Sequence, residues 1–157
     1  MYRAAERSGE HSPEFIKMLI RAGANIEGDR CYMDPPLIGI FDDMWKKPSA
    51  KENIQILLNA GTNVNHQDRD GRTPLHFLLN DLVYMSFEGS RIFNKYLGCI
   101  DMLLAAGANR WTRNRKGQTP MQFAKEGKFG INNTWKNKMD FPTVVKAVEK
   151  LEKYLEQ

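Results

Sequence analysis

The stretch Asp68-Arg69-Asp70-Gly71-Arg72-Thr73-Pro74-Leu75-His76 decides the fold of this chain. Its Asp-Gly pair favours a tight turn, because glycine reaches positive φ without a Cβ penalty. Its Thr-Pro pair is typical of a helix N-terminus, where threonine caps the first turn and proline at the first helical position gives up no hydrogen bond. The stretch therefore predicts a projecting loop that leads directly into a helix.

Two further patterns repeat around this stretch. A Leu-x-x-Ala-Gly-x-Asn pattern occurs three times, at residues 19–25, 57–63 and 103–109. A proline-containing segment follows each copy, at 35–38, 73–76 and 119–122. The helix-starting proline of that segment, at 36, 74 or 120, always lies 13 residues after the glycine of the copy before it. The glycine predicts a helix C-terminus in the left-handed conformation. The chain is therefore predicted to repeat a helix, a loop and a helix in fixed spacing.

These patterns resemble the ankyrin repeat family, whose Asp-x-x-Gly-x-Thr-Pro-Leu-His signature matches residues 68–76. The resemblance covers most of residues 1–127. It implies an all-α solenoid, folded as a single domain of about four helix-turn-helix units with hairpin loops. We place the units at approximately 1–33, 34–71, 72–117 and 118–157.

Units 2 and 3 are longer than the family's period of about 33 residues. The repeat glycines Gly23 and Gly61 are 38 residues apart, and Gly61 and Gly107 are 46 apart. Because the glycine-to-proline spacing is constant, the extra residues must lie between the two helices of each unit. In unit 2, Ser49 and Glu52 predict a capping box at the second helix. In unit 3 the extra length falls in residues 82–98 and predicts two lengthened helices.

Two further helix features are predicted, one in unit 3 and one near the C-terminus. Ser90 is predicted to cap the second helix of unit 3. Apolar residues at helical spacing also predict an amphipathic closing helix near the C-terminus. They are Phe141, Val145, Val148, Leu151 and Leu155.

Composition favours a soluble, monomeric, cytoplasmic protein. The 157 residues fit one domain, and 41% hydrophobic with 27% charged residues is ordinary for a soluble chain. No apolar run approaches the roughly 18 to 20 residues that a membrane span needs. Residues 1–7 carry charge where a secretory signal would be apolar. We therefore expect no membrane association.

The sequence predicts neither catalysis nor a cofactor. Cys31 and Cys99 are too few for a disulfide framework and are expected to be unpaired thiols. The three histidines, His11, His66 and His76, are scattered, so we expect no metal site. The family resemblance implies a structural role for His76. No nucleophile elbow, phosphate loop or metalloprotease helix is present, so the chain is predicted to be non-enzymatic.

In the ankyrin family, hairpin tips and the first turns of the inner helices line a surface that contacts a protein partner. The resemblance therefore implies a scaffold, adaptor or inhibitor whose partner is not identified by the sequence. The positions carried over are mixed in charge. They are Asp42, Asp43, Gln67, Arg69, Asp70, Arg72, Asn80, Asp81, Trp111, Arg113, Arg115, Lys116 and Gln118.

Trp111 is the most distinctive residue of this set, and its role has two interpretations. Tryptophan and arginine are enriched at binding hot spots, and Arg110 and Arg113 flank Trp111. Alternatively, Trp111 packs against the last unit near Trp135 or Phe129, since an amphipathic ring suits either place.

Nucleic-acid binding through residues 110–138 is the alternative function. This segment has eight basic residues and one acidic residue, so it accounts for more than the whole net charge of +4. Aromatic residues interleave with the basic ones, as in proteins that bind single strands. No nucleic-acid fold signature accompanies the segment, which is why we rank this alternative below protein binding.

Overall fold

The computed structural model describes residues 12–27, 35–41, 44, 48–85, 90–130 and 152–153. The described residues form helices and loops and contain no strand, which confirms the predicted all-α class. The helices that can be delimited there are α1 (Pro13–Arg21), α2 (Pro36–Phe41), α3 (Ala50–Asn59), α4 (Pro74–Met85), α5 (Ser90–Ala105) and α6 (Pro120–Gly130). None of them is long and apolar enough to cross a membrane.

The helices pack in two rows. An inner row runs from α2 to α4 to α6, and an outer row runs from α1 to α3 to α5. Within a unit the rows also touch, since α2 packs on α3 and α4 packs on α5. Each unit is therefore covered by its neighbours, as expected of a repeat that cannot bury its apolar face alone.

Unit 3 supplies the centre of the core. Side chains at helical spacing on α4 and α5 are almost completely buried there, because both rows of the stack enclose them. They are Leu75, Leu78, Leu79, Leu82, Tyr96, Cys99, Ile100 and Leu103. This core fixes both helices of unit 3 and so fixes where its loop projects.

The repeat glycines end the outer helices in the predicted conformation. Gly23, Gly61 and Gly107 have φ of 75°, 84° and 89°. The backbone N–H that follows each glycine donates to the carbonyl five residues back, at 2.9 to 3.2 Å, as in the bond from Ala24 to Leu19. This is the Schellman arrangement, which satisfies carbonyls that a helix end would otherwise leave without a partner. The same local sequence therefore directs the chain into a loop three times.

The helices of unit 3 are lengthened as predicted. α4 has 12 residues and α5 has 16, whereas α1 has 9 and α3 has 10. α5 begins at Ser90, within one residue of the predicted cap position.

The predicted capping box in unit 2 is wrong. Ser49 precedes α3, but its side chain makes no capping hydrogen bond. Its φ of −84° and ψ of 1° are not the extended backbone that aims a serine oxygen at the first turn. Its backbone carbonyl accepts the N–H of Asn53 at 2.9 Å, which is the first hydrogen bond of the helix. The remaining insertion of unit 2, at 42–43 and 45–47, and most of the predicted closing helix lie outside the described residues.

Candidate functional site

Residues 67–72 lead into the inner helix of unit 3, and residues 113–118 lead into the inner helix of unit 4. These two segments, called here the loops of units 3 and 4, share one backbone frame. In unit 3 the N–H of Asp68 donates to the carbonyl of Arg72, and the N–H of Gly71 donates to the carbonyl of Asp68, both at 3.0 Å. Residues 114–118 of unit 4 repeat this pair of bonds at 3.0 and 2.9 Å. Gly71 and Gly117 have φ of 75° and 77°, as the sequence predicts. Each loop is thus a tight hairpin whose last turn residue is a left-handed glycine.

One side-chain oxygen closes each of these loops. Oδ1 of Asp68 accepts the backbone N–H groups two and four residues ahead, at 2.9 and 2.8 Å. Oδ1 of Asn114 accepts the equivalent two groups at 2.9 and 3.0 Å. A carboxylate and an amide therefore perform the same structural task, since each offers one acceptor oxygen at the same place.

Arg72 is held within its own loop. Its Nε and Nη2 each lie 2.7 Å from Oδ2 of Asp68, whose side chain is only 1% exposed. Nη2 also lies 3.1 Å from Oδ2 of Asp70, and the guanidinium lies 4.7 Å from the ring centroid of Phe77. These contacts stabilise the loop of unit 3, because arginine combines charge-assisted hydrogen bonds with stacking on an aromatic face.

Direct hydrogen bonds join the loop of unit 3 to that of unit 4. The N–H of Arg115 donates to the carbonyl of Asp70 at 2.8 Å. Nε2 of Gln67 lies 2.8 Å from the carbonyl oxygen of Gly71 and 3.2 Å from that of Arg113. The two loop tips therefore form one continuous and internally bonded surface.

His76 anchors the inner helix α4 to the following loop, in the structural role that the sequence predicts. Its Nδ1 accepts the N–H of Thr73 at 3.0 Å, so the ring proton is on Nε2, which donates to the carbonyl of Gln118 at 3.1 Å. The ring of Phe123 packs edge-on against it with centroids 5.8 Å apart. Burial lowers the pKa of His76, which keeps the ring neutral and this arrangement intact.

The asparagine of each Leu-x-x-Ala-Gly-x-Asn copy builds the same small turn. The side-chain oxygens of Asn25, Asn63 and Asn109 accept the backbone N–H two residues ahead at 2.9, 3.0 and 2.9 Å. Such Asx turns fix the direction of the chain after the helix. They also place one side chain per unit in equivalent positions, at Glu27, Asn65 and Trp111.

Glu27 uses this position to bind the next unit. Its Oε1 accepts the N–H of Asn63 at 2.6 Å and the hydroxyl of Thr62 at 3.1 Å, and its Oε2 lies 3.0 Å from Nδ1 of His66. Sequence reasoning missed Glu27 and left His66 without a role. The available signal was the repeat register, because Glu27 and Asn65 both lie four residues after a repeat glycine.

Asn65 makes the next connection in the same way, and Trp111 does not. Oδ1 of Asn65 accepts the N–H of Asn109 at 2.7 Å, and its Nδ2 donates to the carbonyl of Gly107 at 2.9 Å. Trp111 has no acceptor oxygen, and its side chain is 72% exposed. Within the described residues the series of inter-unit connections therefore ends at an exposed indole. The alternative contacts with Trp135 and Phe129 fall on side chains outside the described part.

The remaining predicted contact residues divide by exposure. Those at the loop tips are exposed, namely Gln67, Arg69, Asp70, Arg113, Arg115 and Lys116. Those that support the loops or lie on α4 are half-buried, namely Arg72, Asn80, Asp81 and Gln118. Asp42 and Asp43 lie outside the described residues. The structure thus brings the loop residues of units 3 and 4 together, and their role in binding stays a prediction.

The described residues contain no cluster of groups suited to a metal ion. Cys99 is buried and unpaired, as predicted, and burial raises the pKa of its thiol. Cys31 lies outside the described residues. A buried thiol with a raised pKa is a poor nucleophile, so Cys99 serves the packing of α5.

Comparison with known proteins agrees with the repeat architecture. A family model described as "Ankyrin repeats (many copies)" matches residues 47–79. Residues 47–79 are thus recognised as ankyrin repeats. Inversin from Homo sapiens is 35% identical to this chain over 78 residues, and Inversin from Canis lupus familiaris is equally similar. The match covers 45% of the chain but only 7% of either Inversin.

A solved structure shows the same fold. The ankyrin repeat domain of Bcl-3, a unique member of the IκB protein family, superposes with a TM-score of 0.51 at 24% identity. The match covers 68% of this chain and 40% of the Bcl-3 chain. The likeness supports an ankyrin solenoid. Repeats of this family generally serve as protein–protein interaction modules and are typically not enzymes.

Proposed function

We propose that this chain is a cytoplasmic, monomeric binding module that holds a protein partner through the loop tips and inner helices of units 3 and 4. It would act as a scaffold, an adaptor or an inhibitor. The observation that carries the proposal is the exposure of Trp111, at 72%, beside the bonded loop tips. A large indole left in water is a frequent anchor of interfaces, since its burial by a partner removes much apolar surface at once.

The rigidity of the loop tips supports this function. Each tip is closed by an acidic or amide side chain, and Gln67 and Asp70 bind the two tips together. A surface that is already ordered loses little conformational entropy when a partner docks. Binding would therefore require little rearrangement of the backbone.

The inner helix adds polar groups beside the loops. Asn80 and Asp81 are half-buried on α4, in the row that continues from α2 to α6. Such groups add specificity to an interface more than affinity, because a partner must match their charge and their hydrogen-bonding pattern. The surface offered to the partner thus combines the cationic and aromatic side chains of the loop tips with the polar side chains of α4.

Affinity capture from a lysate of the source cells, with the bound proteins identified by mass spectrometry, tests the proposal. Wild type is compared with Trp111→Ala and with the pair Arg113→Glu and Arg115→Glu. A protein that wild type captures and both variants lose, at unchanged melting temperatures, is the expected result. The control replaces Arg21 and Arg91, which are exposed on outer helices, by glutamate. Capture that is unchanged by the loop substitutions would exclude this surface.

The nucleic-acid alternative is tested on the same proteins. Phosphate contacts make affinity fall steeply with salt, so retention on a single-stranded DNA column is measured at several salt concentrations. The proposal expects early elution with a shallow salt dependence. Strong retention that the loop variants abolish would favour the alternative.

A further inference from the structure

The loops of units 3 and 4 have the same backbone frame but different net charge. Residues 67–72 contain two acidic and two basic side chains, so this loop is neutral. Residues 113–118 contain three basic side chains and no acidic one, so this loop carries +3. The difference arises at equivalent positions, where Arg113, Asn114, Lys116 and Gln118 replace Gln67, Asp68, Asp70 and Arg72. The frame tolerates the exchange because the Asn114 oxygen still closes the loop.

The three cations of the unit 4 loop face solvent. Arg113, Arg115 and Lys116 are exposed, and none of the ion pairs among the described residues includes them. Arg113 donates to the carbonyl of Gly117 at 2.5 Å, which leaves the rest of its guanidinium fork for other acceptors. Like charges gathered in one short loop repel each other, so this loop is better stabilised by an anionic partner than by its own unit.

Trp111 lies two residues before this loop, at a position that elsewhere binds the next unit. Glu27 and Asn65 fill that position with oxygens that accept a backbone N–H of the following unit. Trp111 offers instead a broad apolar face and one N–H donor. At this position Trp111 therefore combines a hydrogen-bond donor with an apolar face, in place of the acceptor oxygens of Glu27 and Asn65.

We infer that the loop of unit 4, with Trp111, binds an acidic protein segment that carries an apolar or aromatic residue. Aspartate and glutamate side chains would pair with Arg113 and Arg115, because the guanidinium fork matches a carboxylate in a bidentate fashion. The apolar residue of the segment would cover the Trp111 ring. This inference rests on the proposed function and adds the chemistry of the partner to it.

The described geometry favours an acidic protein over a nucleic acid. Binding of single strands relies on successive aromatic rings that stack on successive bases. Phe123, an aromatic residue of the basic segment, is half-buried and packs against His76. It is therefore not presented for stacking, and among the described side chains of that segment Trp111 is the exposed aromatic one.

A random-peptide library displayed on phage provides the probe. The full chain is immobilised and binding phage are selected, with counter-selection against the variant in which Trp111→Ala, Arg113→Glu and Arg115→Glu are combined. Selected peptides are synthesised, and their affinities are measured by fluorescence anisotropy. We expect peptides rich in aspartate and glutamate around an apolar residue. Their affinity should fall at least about tenfold in Trp111→Ala and in the double arginine variant, and should fall with added salt.

The outcomes separate this inference from the proposed function. The double variant Arg21→Glu and Arg91→Glu matches the charge change elsewhere on the surface, and it should bind the peptides as wild type does. Peptides that depend on Trp111 but carry no acidic bias overturn the inference and leave the proposed surface standing. Peptides that ignore the loop substitutions, or a library that yields no binder, overturn the inference as well. A single-stranded oligonucleotide that binds the loop more tightly than the acidic peptides do, and displaces them from it, reassigns the loop to nucleic acid.

Discussion

The side chain of Asn65 bridges to the backbone around Asn109, accepting its N–H at 2.7 Å and donating to the carbonyl of Gly107 at 2.9 Å. One amide thereby joins the turn of one unit to the turn of the next. Glu27 makes the preceding connection to Asn63. Neighbouring turns are thus tied by single side chains, which makes each connection accessible to one substitution.

Asn65→Ala should lower the free energy of unfolding by about 1 to 2 kcal/mol, because two hydrogen bonds are lost and each is worth about 1 kcal/mol. Urea unfolding followed by circular dichroism measures the change. Asn94→Ala, at an exposed position on α5, is the matched control and should cost less than about 0.5 kcal/mol. Equal losses of unfolding free energy in the two variants would show that the Asn65 bridge does not stabilise the fold.

Gly71→Ala should be more destabilising than Gly117→Ala. Both glycines have a left-handed backbone, which costs an alanine about 1 to 2 kcal/mol. A Cβ at Gly71 would also lie 3.0 Å from the backbone nitrogen of Arg115 and 3.2 Å from Cα of Asn114, whereas nothing lies within 4 Å at Gly117. We expect a difference of at least about 1 kcal/mol, measured by urea unfolding, because the contact is with backbone that cannot yield freely. Similar losses would mean that the loops are not closely packed.

Arg72→Ala should destabilise the chain by about 2 kcal/mol, since it leaves the buried carboxylate of Asp68 without its charged partner. The double variant Asp68→Asn with Arg72→Gln should lose less, because it recreates the pair of Asn114 and Gln118 in unit 4, which are joined at 2.8 Å. Melting temperatures give the order directly. Arg115→Ala serves as an exposed arginine control. A double variant less stable than Arg72→Ala would show that the loop frames are not interchangeable.

The free energy of unfolding should decrease as the pH is lowered, because His76 titrates. Burial lowers the pKa of His76 below its ordinary value of 6.5, so the unfolded chain takes up a proton that the folded chain resists. The contribution is therefore fully present above pH 6.5 and is lost as the pH falls through the lowered value. His76→Gln, which copies the counterpart Gln122, removes this titration. The gap in unfolding free energy between wild type and His76→Gln should narrow as the pH falls from 7, and a constant gap would contradict the assignment.

Local chemistry in the sequence predicted the architecture well. The repeat glycines end outer helices, the turn glycines close the loops, and Thr119 with Gln122 forms a reciprocal cap at α6, with bonds of 3.0 and 3.3 Å. These features depend on a few consecutive residues, so their pattern is sufficient. The capping box at Ser49 failed because its backbone is not extended, so its hydroxyl makes no hydrogen bond to the first turn of α3.

The candidate site was less accessible from the sequence. Arg72 and Arg113 have the same residue type in adjacent loops, yet Arg72 is bound by Asp68 and Arg113 faces solvent. Only the folded loop shows that Asp68 is buried beside Arg72. Likewise, Glu27 contacts Asn63 across 36 residues, and pairing at that distance depends on how units stack. Residue type therefore indicated which loops form the candidate site. Only the packing of the folded loops showed which side chains support the loop and which face solvent.

The oxygen that closes each loop is an atom of Asp68 in one unit and of Asn114 in the next, with the same two backbone donors. The shape of the tip is consequently insensitive to the charge of the residue that shapes it. Exchange of the exposed side chains at 115 and 116 then leaves the bonds that close the loop in place. Such a chain is evolvable in its recognition, because a change of partner needs new side chains on an old loop and no new loop.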